Sequence, residues 1–581
     1  MSARPHLAHL PTSAAARRRR RRRLLMPLGV AAVGLVLVAL GLAFTGGDDR
    51  LKVGTRYAVA YAKGDYAAMY AMISASDRRS LTVDRFTELQ QNARTTATVQ
   101  KITTGVVTKA DQDRVRVPVK VTTRLFGTLS GDLYLPVVKD GNVTNINWSQ
   151  VLAFPGLREG ETLRRTTTLP ARASIIAQGG ITLVHGAGAS RVPVADTALN
   201  SIVGQVGPIP ADQKDAYAAQ GYPSDALVGL TGLERVFESR LRGTPGGVLY
   251  AGDRKLASIA ADAATPVHTT IEPKVQRAAV TALAGRIGGI AVVKPSNGAI
   301  LALAGSAFSG LQPPGSTFKI ITATAALRYK AATLSTQFPV ETEATLSGVA
   351  LQNADGESCG GTLLSAFEVS CNSVFAPLGV KVGAAKLVSI AEDFGFNADL
   401  GIPGAQISVI PPADQIGDDL AVGSSSIGQG RVVATALQMA LVAATIGERG
   451  QRPQLTLQAN QPAKLKRVIP RAVASQMTTM MAGVVTAGTG GLAKISGVQV
   501  AGKTGTAELK TTQGTCDPDN PPAGGCPTDE DDKSDTTAWF AGFAPAGSPK
   551  IAIAVQLPGQ GKGGDSAAPA FATVGAAALA K

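Results

Sequence analysis

An uncharged apolar segment close to the start of the chain, residues 24–44, most constrains what this sequence can form. Its twenty-one residues, LLMPLGVAAVGLVLVALGLAF, would reach about 30 Å as a helix, which is the thickness of a bilayer core. Seven consecutive arginines, residues 17–23, come directly before it, and such a run holds the preceding segment in the cytoplasm. We therefore expect a cytoplasmic Arg-rich tail over residues 1–23, a single-pass transmembrane anchor over residues 24–44, and the rest of the chain outside the cell membrane.

A cleaved signal peptide is the competing interpretation of this segment. The apolar stretch is longer than a typical signal-peptide core, and only "GLA" at residues 41–43 resembles a cleavage site. The first cysteine is Cys359, so no cysteine follows the segment closely enough to carry a lipid anchor. These observations favour a retained helix.

Length and charge limit the number of domains and the classes of partner that the chain can have. A chain of 581 residues predicts about three or four domains, and its 45% hydrophobic and 17% charged residues are typical of folded proteins. The formal net charge is +15, but eight of the positive charges belong to residues 1–23. The body is only mildly basic and aromatic residues total 4%, which argues against a nucleic-acid partner.

Four cysteines form two close pairs, Cys359 with Cys371 and Cys516 with Cys526. Their intervals differ from the short spacing of zinc sites, and an exported chain can keep disulfides. The polar segment "CDPDNPPAGGC" favours a bridge for the second pair, because it offers no core for a buried thiol to join. For the first pair, a bridge and a buried, unlinked Cys371 both remain open.

Hydrophobic patterns divide the exported part into three regions. Residues 56–73 have the apolar spacing of helices, and residues 115–148 alternate like strands around an Asp140-Gly141 turn, which predicts a small α+β module over residues 51–158. A linker domain is expected over residues 159–262. The last domain is expected over residues 263–581, where residues 289–305 read as two apolar strands joined by a Pro-Ser-Asn-Gly turn.

Three short motifs lie in this last region. In "PPGSTFKIIT", Ser316 follows a helix-start signal and Lys319 lies one turn later on the same face, so the hydroxyl and the amine could touch. The second motif is Ser370-Cys371-Asn372, and the third is Lys503-Thr504-Gly505 followed by Thr506. Each motif alone is weak evidence, but the order S-x-x-K, S-x-N, K-T-G within one domain is a signature of β-lactamases and penicillin-binding proteins.

The sequence resembles the class B penicillin-binding proteins, which are monofunctional transpeptidases. The likeness extends to "IGQG" at residues 427–430, "VVTAGTGGLAKISGVQVAGKTGTAE" at residues 484–508 and "AWFAGFAP" at residues 538–545. Residues 228–246 are similar to the segment before the transpeptidase domain, and "NINWSQVLAFPGL" is similar to the NTF2-like module of the methicillin-resistance type. One departure is "PARASIIAQGG" at residues 170–180, which lacks the Arg-Gly and Asp-Arg-Asn-Gly pieces usual there.

The resemblance implies a fold for each region. We expect an α+β multidomain protein with a transmembrane helix, an NTF2-like module, a linker or dimerisation-type domain, and a β-lactamase-like transpeptidase domain. The last would hold an antiparallel sheet flanked by helices.

The resemblance also implies a role for each motif residue. Ser316 would attack the carbonyl between the two terminal D-alanines of a wall peptide, with neutral Lys319 as the base. Lys319 is neutral only if burial and a nearby like charge lower its pKa, and Lys503 would supply that charge. Ser370 would relay the proton to the leaving amine, and Asn372 would hold the amide of the substrate.

The third motif would bind the end of the substrate. Thr504, Gly505 and Thr506, with Lys503, would receive the terminal carboxylate of D-Ala-D-Ala or of a β-lactam. The backbone N–H groups of Ser316 and Thr506 would form the oxyanion hole.

The partners implied are stem peptides of peptidoglycan, β-lactams and the membrane, with a membrane glycan polymerase as a further candidate. No cofactor or metal is expected, because no histidine has a metal-spaced partner or a serine-centred elbow.

Three functions compete at this point. The first is a D,D-transpeptidase that cross-links stem peptides. The second is a hydrolase, a D,D-carboxypeptidase or a β-lactamase, which needs a base to activate water; no Glu-x-x-x-Asn element of the class A kind lies between Asn372 and Lys503. The third is a non-catalytic β-lactam sensor or scaffold, for which the short arginine-rich tail offers no output domain.

Overall fold

The computed structural model describes residues 47–508 and 535–580 of the chain. The predicted tail and anchor, residues 1–44, and the cysteines Cys516 and Cys526 lie outside the described residues. Within the described part, no single helix is both long enough and apolar enough to cross a membrane.

The chain divides into two compact units. The first holds residues up to 170 together with 208–226 and 243–263, and the second holds 171–207, 227–242 and the residues from 264 onward. Residues 159–262, predicted as a linker domain, thus contribute segments to both units.

In the described part of the first unit, four helices precede an antiparallel sheet. The elements are α1 (Asp49–Lys63), α2 (Tyr66–Ala71), α3 (Ala75–Ser80), α4 (Val83–Thr96), β1 (Val99–Thr104), β2 (Thr108–Lys109), β3 (Arg114–Thr123), β4 (Thr128–Asp140), β5 (Val143–Ile146) and β6 (Leu163–Thr168). Helix α1 ends at Gly64, whose φ of +72° is left-handed backbone that glycine adopts without strain. The sheet order is β1-β3-β4-β5, with β2 paired to β3.

Alternation along β3 explains how this sheet makes a core. Val115, Val117, Val119 and Val121 are buried, whereas the residues between them face outward. The Asp140-Gly141 turn joins β4 to β5 as the sequence predicts, with Asp140 opposite Val143. The helix-then-sheet order predicted for this module is therefore confirmed.

Short elements follow between residues 175 and 268. They are β7 (Ile175–Ile176), β8 (Thr182–His185), β9 (Val192–Pro193), α5 (Thr197–Asn200), β10 (Val206–Pro208), α6 (Lys214–Ala218), β11 (Leu227–Gly229), α7 (Gly232–Val236), α8 (Glu238–Leu241), β12 (Gly246–Ala251), β13 (Arg254–Ile259) and β14 (Val267–His268). Strands β12 and β13 join β6 in the first unit, and β14, β7, β8 and β9 form a sheet in the second.

A buried ion network lies in the segment that departs from the family pattern. Arg172 is 5% exposed and contacts Glu234 and Glu238, each at 2.6 Å. Arg191 contacts the second oxygen of Glu234 at 2.7 Å. Because each buried charge has an opposite partner, the network ties this segment to helices α7 and α8 at a tolerable desolvation cost.

The rest of the second unit is built on a five-stranded sheet. Its elements are α9 (Pro273–Leu283), β15 (Gly289–Val293), β16 (Ile300–Gly305), α10 (Lys319–Arg328), β17 (Gln337–Glu341), β18 (Glu343–Leu346), β19 (Val349–Gln352), β20 (Cys359–Thr362), α11 (Leu363–Glu368), α12 (Asn372–Val382), α13 (Ala384–Asp393), α14 (Asp419–Ser426), α15 (Ala436–Gly447), β21 (Gln451–Pro453), β22 (Leu465–Arg467), α16 (Arg471–Thr486), β23 (Ala501–Glu508), β24 (Thr536–Ala544), β25 (Ile551–Pro558) and α17 (Gly563–Leu579). The sheet order β16-β15-β25-β24-β23 is antiparallel throughout, and the predicted hairpin over residues 289–305 forms β15 and β16.

Helices cover both faces of this sheet. One face packs on α9 and α17 through a cluster that includes Phe540 and Phe571, and the other face packs on a larger cluster that includes the hydrophobic residues of the fully buried helix α15. Such two-sided burial explains why β15, β24 and β25 are apolar at nearly every position. Edge strand β23 is left beside the turn that carries Ser316.

Candidate active site

Ser316 lies in a tight helical turn at the start of α10. The turn, Gly315–Phe318, is a 3-10 helix that continues directly into α10. Gly315 has a φ of +50°, and a Cβ there would lie 2.6 Å from the carbonyl oxygen of Thr506. Its N–H donates to the carbonyl oxygen of Gly428 at 3.0 Å. The predicted helix start is confirmed, and glycine lets the turn approach β23 closely.

Lys319 is fully buried and directed at the second motif. Its Nζ donates to the carbonyl oxygen of Ser370 at 2.6 Å and to Oδ1 of Asn372 at 2.7 Å, and it lies 3.3 Å from Oγ of Ser370. Among the described residues, Oγ of Ser316 is not a hydrogen-bond partner of this amine. The structure thus brings Lys319 to Ser370 and Asn372, and places Ser316 three residues before it on the same turn.

Lys503 is a second fully buried lysine, on β23. Its Nζ donates to the carbonyl oxygen of Thr504 at 3.2 Å and lies 5.6 Å from the ring centroid of Phe367. Burial lowers the pKa of Lys503 to about 7. The pKa of Lys319 is well below its usual range, first because of burial and second because of the charge on Lys503. Lys503 therefore gives up a proton near neutral pH, and Lys319 gives one up far more readily than an exposed lysine.

Ser370 occupies an unusual backbone conformation between α11 and α12. Its φ of +68° is left-handed, which a serine adopts at a cost of about 1–2 kcal/mol. The turn is closed by the N–H of Ser370, which donates to Phe367, and by the N–H of Cys371, which donates to Ala366. This conformation directs the Ser370 carbonyl at Lys319.

Cys371 links this turn to the strand before α11. It is fully buried and forms a disulfide with Cys359, with the Cα atoms 5.8 Å apart. Of the two possibilities that the sequence leaves open for this pair, the structure has the bridge. The disulfide anchors the segment between Ser370 and Asn372 to β20.

Asn372 uses both ends of its side-chain amide. Its Oδ1 accepts from Lys319, and its Nδ2 donates to the carbonyl oxygen of Gln352 at 2.8 Å. Gln352 belongs to residues 337–362, which form the small hairpins β17–β20 and which we call the acidic strap. The buried side chain of Asn353 fixes the strap, because its Oδ1 accepts from the N–H of Ser373 at 2.8 Å.

The third motif forms the wall opposite Ser370. Oγ1 of Thr504 lies 2.5 Å from Oγ1 of Thr489, and Oγ1 of Thr506 accepts from the N–H of Gly563 at 3.2 Å. A Cβ on Gly505 would lie 2.9 Å from the carbonyl oxygen of Pro314, so this glycine permits the close approach of β23 to the Ser316 turn. The structure brings Lys503, Thr504, Gly505 and Thr506 to one edge of the groove that also holds Ser316.

Several contacts around the site lie beyond the three motifs. Gly428 belongs to the "IGQG" string, where its glycine content is the only signal; a Cβ there would lie 2.1 Å from the carbonyl oxygen of Gly315. Nε1 of Trp539 donates to the carbonyl oxygen of Pro313 at 2.8 Å. Gln352 and Gly563 carry no sequence signal, because both act through backbone atoms that only the tertiary fold positions.

Metal chemistry has no ligand set in the described part of the chain. There, no group of three or more His, Cys, Asp or Glu side chains is arranged to hold a metal ion.

Three family models match successive parts of the chain. They are the NTF2-like N-terminal transpeptidase domain over residues 52–161, the penicillin-binding protein dimerisation domain over residues 178–266, and the penicillin-binding protein transpeptidase domain over residues 288–575. The matches follow the order expected from the sequence and give a mixed α/β multidomain fold.

Individual relatives agree with these matches. The chain is 34% identical over 417 residues to the peptidoglycan D,D-transpeptidase PbpA of Mycolicibacterium smegmatis, an alignment that covers 60% of this chain and 79% of that protein. The penicillin G acyl-enzyme complex of penicillin-binding protein A from Mycobacterium tuberculosis is similar with a TM-score of 0.55 and 26% identity, over 71% of this chain and 100% of that one. The D,D-transpeptidase domain of a peptidoglycan glycosyltransferase from Eggerthella lenta gives the same TM-score and identity, over 71% and 98% of the two chains.

The ordered motifs, the buried lysine pair and these matches agree with one another. The chain belongs to the penicillin-binding protein transpeptidases of the class B type.

Proposed function

We propose that this protein is a membrane-anchored peptidoglycan D,D-transpeptidase that works through an acyl-enzyme on Ser316. The acyl donor is a stem peptide ending in D-Ala-D-Ala, the acceptor is the amine of a neighbouring stem peptide, and β-lactams acylate the same serine. The anchor over residues 24–44, with the catalytic domain outside the cell membrane, belongs to this proposal, as does a membrane glycan polymerase as partner.

The environment of Lys319 is the observation that carries the proposal. A lysine acts as a general base only when it is neutral, and this one is fully buried with its pKa lowered by burial and by Lys503. A neutral amine has two N–H groups and one lone pair. The two short contacts, to the carbonyl oxygen of Ser370 and to Oδ1 of Asn372, account for both N–H groups. The third contact of Nζ is Oγ of Ser370 at 3.3 Å, so the lone pair of the neutral amine lies on the side of this hydroxyl group.

Acylation uses that lone pair. Ser316 attacks the carbonyl carbon of the D-Ala-D-Ala bond, its hydroxyl proton passes to Lys319, and the N–H groups of Ser316 and Thr506 stabilise the oxyanion. Ser370 then relays a proton to the departing D-alanine amine, a role supported by the 3.3 Å separation between its Oγ and Nζ of Lys319.

Substrate binding requires Asn372 to exchange one hydrogen-bond partner. The terminal carboxylate binds Thr504 and Thr506 beside Lys503, at the edge of β23. Nδ2 of Asn372 donates to Gln352 in the structure, so it must leave that carbonyl oxygen to hold the amide of the donor peptide. A small displacement of the acidic strap is therefore part of binding.

Fluorescent penicillin labelling of the full-length protein, followed by mass mapping, tests the proposal. We expect the label on Ser316, and we expect Ser316→Ala to lose it while keeping the thermal unfolding midpoint of the wild type. A label on a different serine would refute the assignment. Incubation with a D-Ala-D-Ala donor and an amine acceptor then measures the balance between transfer and hydrolysis; D-alanine release without amide formation would exclude a transpeptidase.

A further inference from the structure

An ion pair that the proposed reaction does not use crosses the mouth of the Ser316 groove. Nζ of Lys562 lies 2.7 Å from Oδ2 of Asp355, and the two side chains are 57% and 36% exposed. Neither residue belongs to the three motifs.

The two partners stand on opposite walls of the groove. Lys562 directly precedes Gly563, whose N–H donates to Oγ1 of Thr506, so it lies beside the β23 wall. Asp355 lies in the acidic strap just after Gln352, which is bound to Asn372 of the opposite wall. The side chain of Lys562 therefore reaches across the groove, above the space between Thr506 and Asn372.

The charge distribution explains what this lysine does there. The acidic strap contains Glu341, Glu343, Asp355 and Glu357 and has no lysine, arginine or histidine. An anionic group brought to this wall is repelled by the carboxylates of the strap, because like charges at short range repel. Lys562 is the cation that offsets the strap at the point where a donor peptide enters.

The ion pair between Lys562 and Asp355 is also easily broken in favour of another carboxylate. An ion pair with this much solvent exposure favours the paired state by a factor of only about 1.5 to 5. The exchange needs movement of the Lys562 side chain only, because its backbone is held: the carbonyl oxygen of Gly561 accepts from Oγ1 of Thr536, and that of Lys562 accepts from the N–H groups of Asp565 and Ser566, each at 3.2 Å. A second carboxylate of suitable position can thus replace Asp355 at little cost.

We propose that Lys562 is a carboxylate-binding residue for the acyl donor, and that Asp355 holds its ammonium group until an anionic substituent of the donor takes its place. The substituent lies on the amide side of the scissile bond, next to Asn372, and is distinct from the terminal carboxylate bound by Thr504 and Thr506. This inference rests on the proposed function, since it assumes that Ser316 is acylated.

Two penicillins provide a matched pair of probes. Carbenicillin differs from benzylpenicillin by one carboxylate on the side chain, at the carbon next to the amide. The measured quantity is the ratio of second-order acylation rate constants, carbenicillin over benzylpenicillin, for the full-length wild type and its variants. The ratio cancels any general loss of folded or active enzyme.

We expect Lys562→Gln to lower this ratio about 2- to 5-fold and Asp355→Asn to raise it by a similar factor, because the first removes the cation and the second removes the carboxylate that competes for it. Lys550→Gln, at an exposed lysine between β24 and β25, is the matched control and should leave the ratio unchanged. Raising the salt concentration should lower the ratio in the wild type and have little effect in Lys562→Gln.

Three outcomes would overturn the inference. They are a ratio and rate constants unaffected by Lys562→Gln, an unaffected ratio with an equal change in both rate constants, which would indicate a latch without charge recognition, and an equal response of the Lys550 control. Failure of both penicillins to acylate the wild type would overturn the proposed function and this inference together, whereas benzylpenicillin acylation with an insensitive ratio would overturn the inference alone.

Discussion

Replacing Lys503 with methionine should make the protein more stable at neutral pH while impairing acylation. Lys503 is fully buried, and its pKa falls from 10.5 to about 7 in the folded protein. Between those two values the unfolded chain binds more protons than the folded one, so the free energy of unfolding rises with pH. Below pH 7, where the lysine is charged in both states, the fall in pKa corresponds to a cost of about 5 kcal/mol.

The magnitude sets the pH window of the test. From the same pKa values, Lys503 lowers the free energy of unfolding by about 4 kcal/mol at pH 7 and by about 2 kcal/mol at pH 9. The wild type should therefore gain about 2 kcal/mol over this interval from Lys503 alone, which corresponds to a rise in unfolding midpoint of about 4 °C for a domain of this size. Lys503→Met should lack this component, because methionine fills a similar volume and does not titrate.

Thermal unfolding at a fixed scan rate, at pH 7 and pH 9, measures the effect. The informative quantity is the difference between the two pH responses, because Lys319 also has a lowered pKa and contributes to both proteins. Lys550→Met, at an exposed lysine, is the control for loss of one positive charge. Parallel pH responses of the wild type and Lys503→Met would show that Lys503 is not desolvated as its burial indicates.

Three further predictions follow from the geometry of the site. Lys319→Ala should lower the second-order rate of acylation by β-lactams by orders of magnitude, since it removes the base, and a loss of only a few-fold would exclude that role. Gly428→Ala should lower acylation at least about tenfold, because its Cβ would lie 2.1 Å from the carbonyl oxygen of Gly315. Gly179→Ala is the control: with φ of +72°, ψ of 9° and no atom within 4 Å of the added Cβ, it should lose only about 1–2 kcal/mol of stability. Cys359→Ser should raise the free-energy barrier to acylation by more than it lowers the free energy of unfolding, because the bridge restrains the turn between Ser370 and Asn372. Free thiols at 359 and 371 in non-reducing peptide mapping, or an unchanged acylation rate, would contradict this.

The sequence predicts the chemical groups of the site better than it predicts their contacts. Proline and glycine before Ser316 predict a helix start, and the three motifs identify the residues that the fold gathers. The spacing also suggests direct contact between Ser316 and Lys319, yet Lys319 bonds to Ser370 and Asn372. Residues three apart on a helix are neighbours, but a buried ammonium or amine group turns toward the strongest acceptors within its reach, and those come from a distant segment.

Contacts made by backbone atoms cannot be predicted from the residue types in the sequence. Gln352 offers its carbonyl oxygen to Asn372, and Gly563 offers its N–H to Thr506, so neither side chain identifies the contact. Arg172 shows the complementary case. Its segment lacks part of the usual family pattern, and yet the arginine joins a buried network with Glu234 and Glu238 whose members lie about sixty residues away. Long-range pairing of this kind needs the folded chain.

The two buried lysines have separate tasks in the proposed reaction, and the reason is what lowers the pKa of Lys319. If repulsion from Lys503 were the main cause, Lys319 would be a base only while Lys503 is charged, and the site would depend on one proton shared between them. Burial comes first, however, and the charge of Lys503 second. In the proposed reaction Lys319 would therefore remain a base when Lys503 loses its proton, because burial, the larger cause of its lowered pKa, persists. What changes with the charge of Lys503 is the attraction at the β23 edge, where the terminal carboxylate of the donor is expected to bind. In the proposed reaction the charge of Lys503 would thus govern binding of the donor, whereas the burial of Lys319 would govern the chemical step.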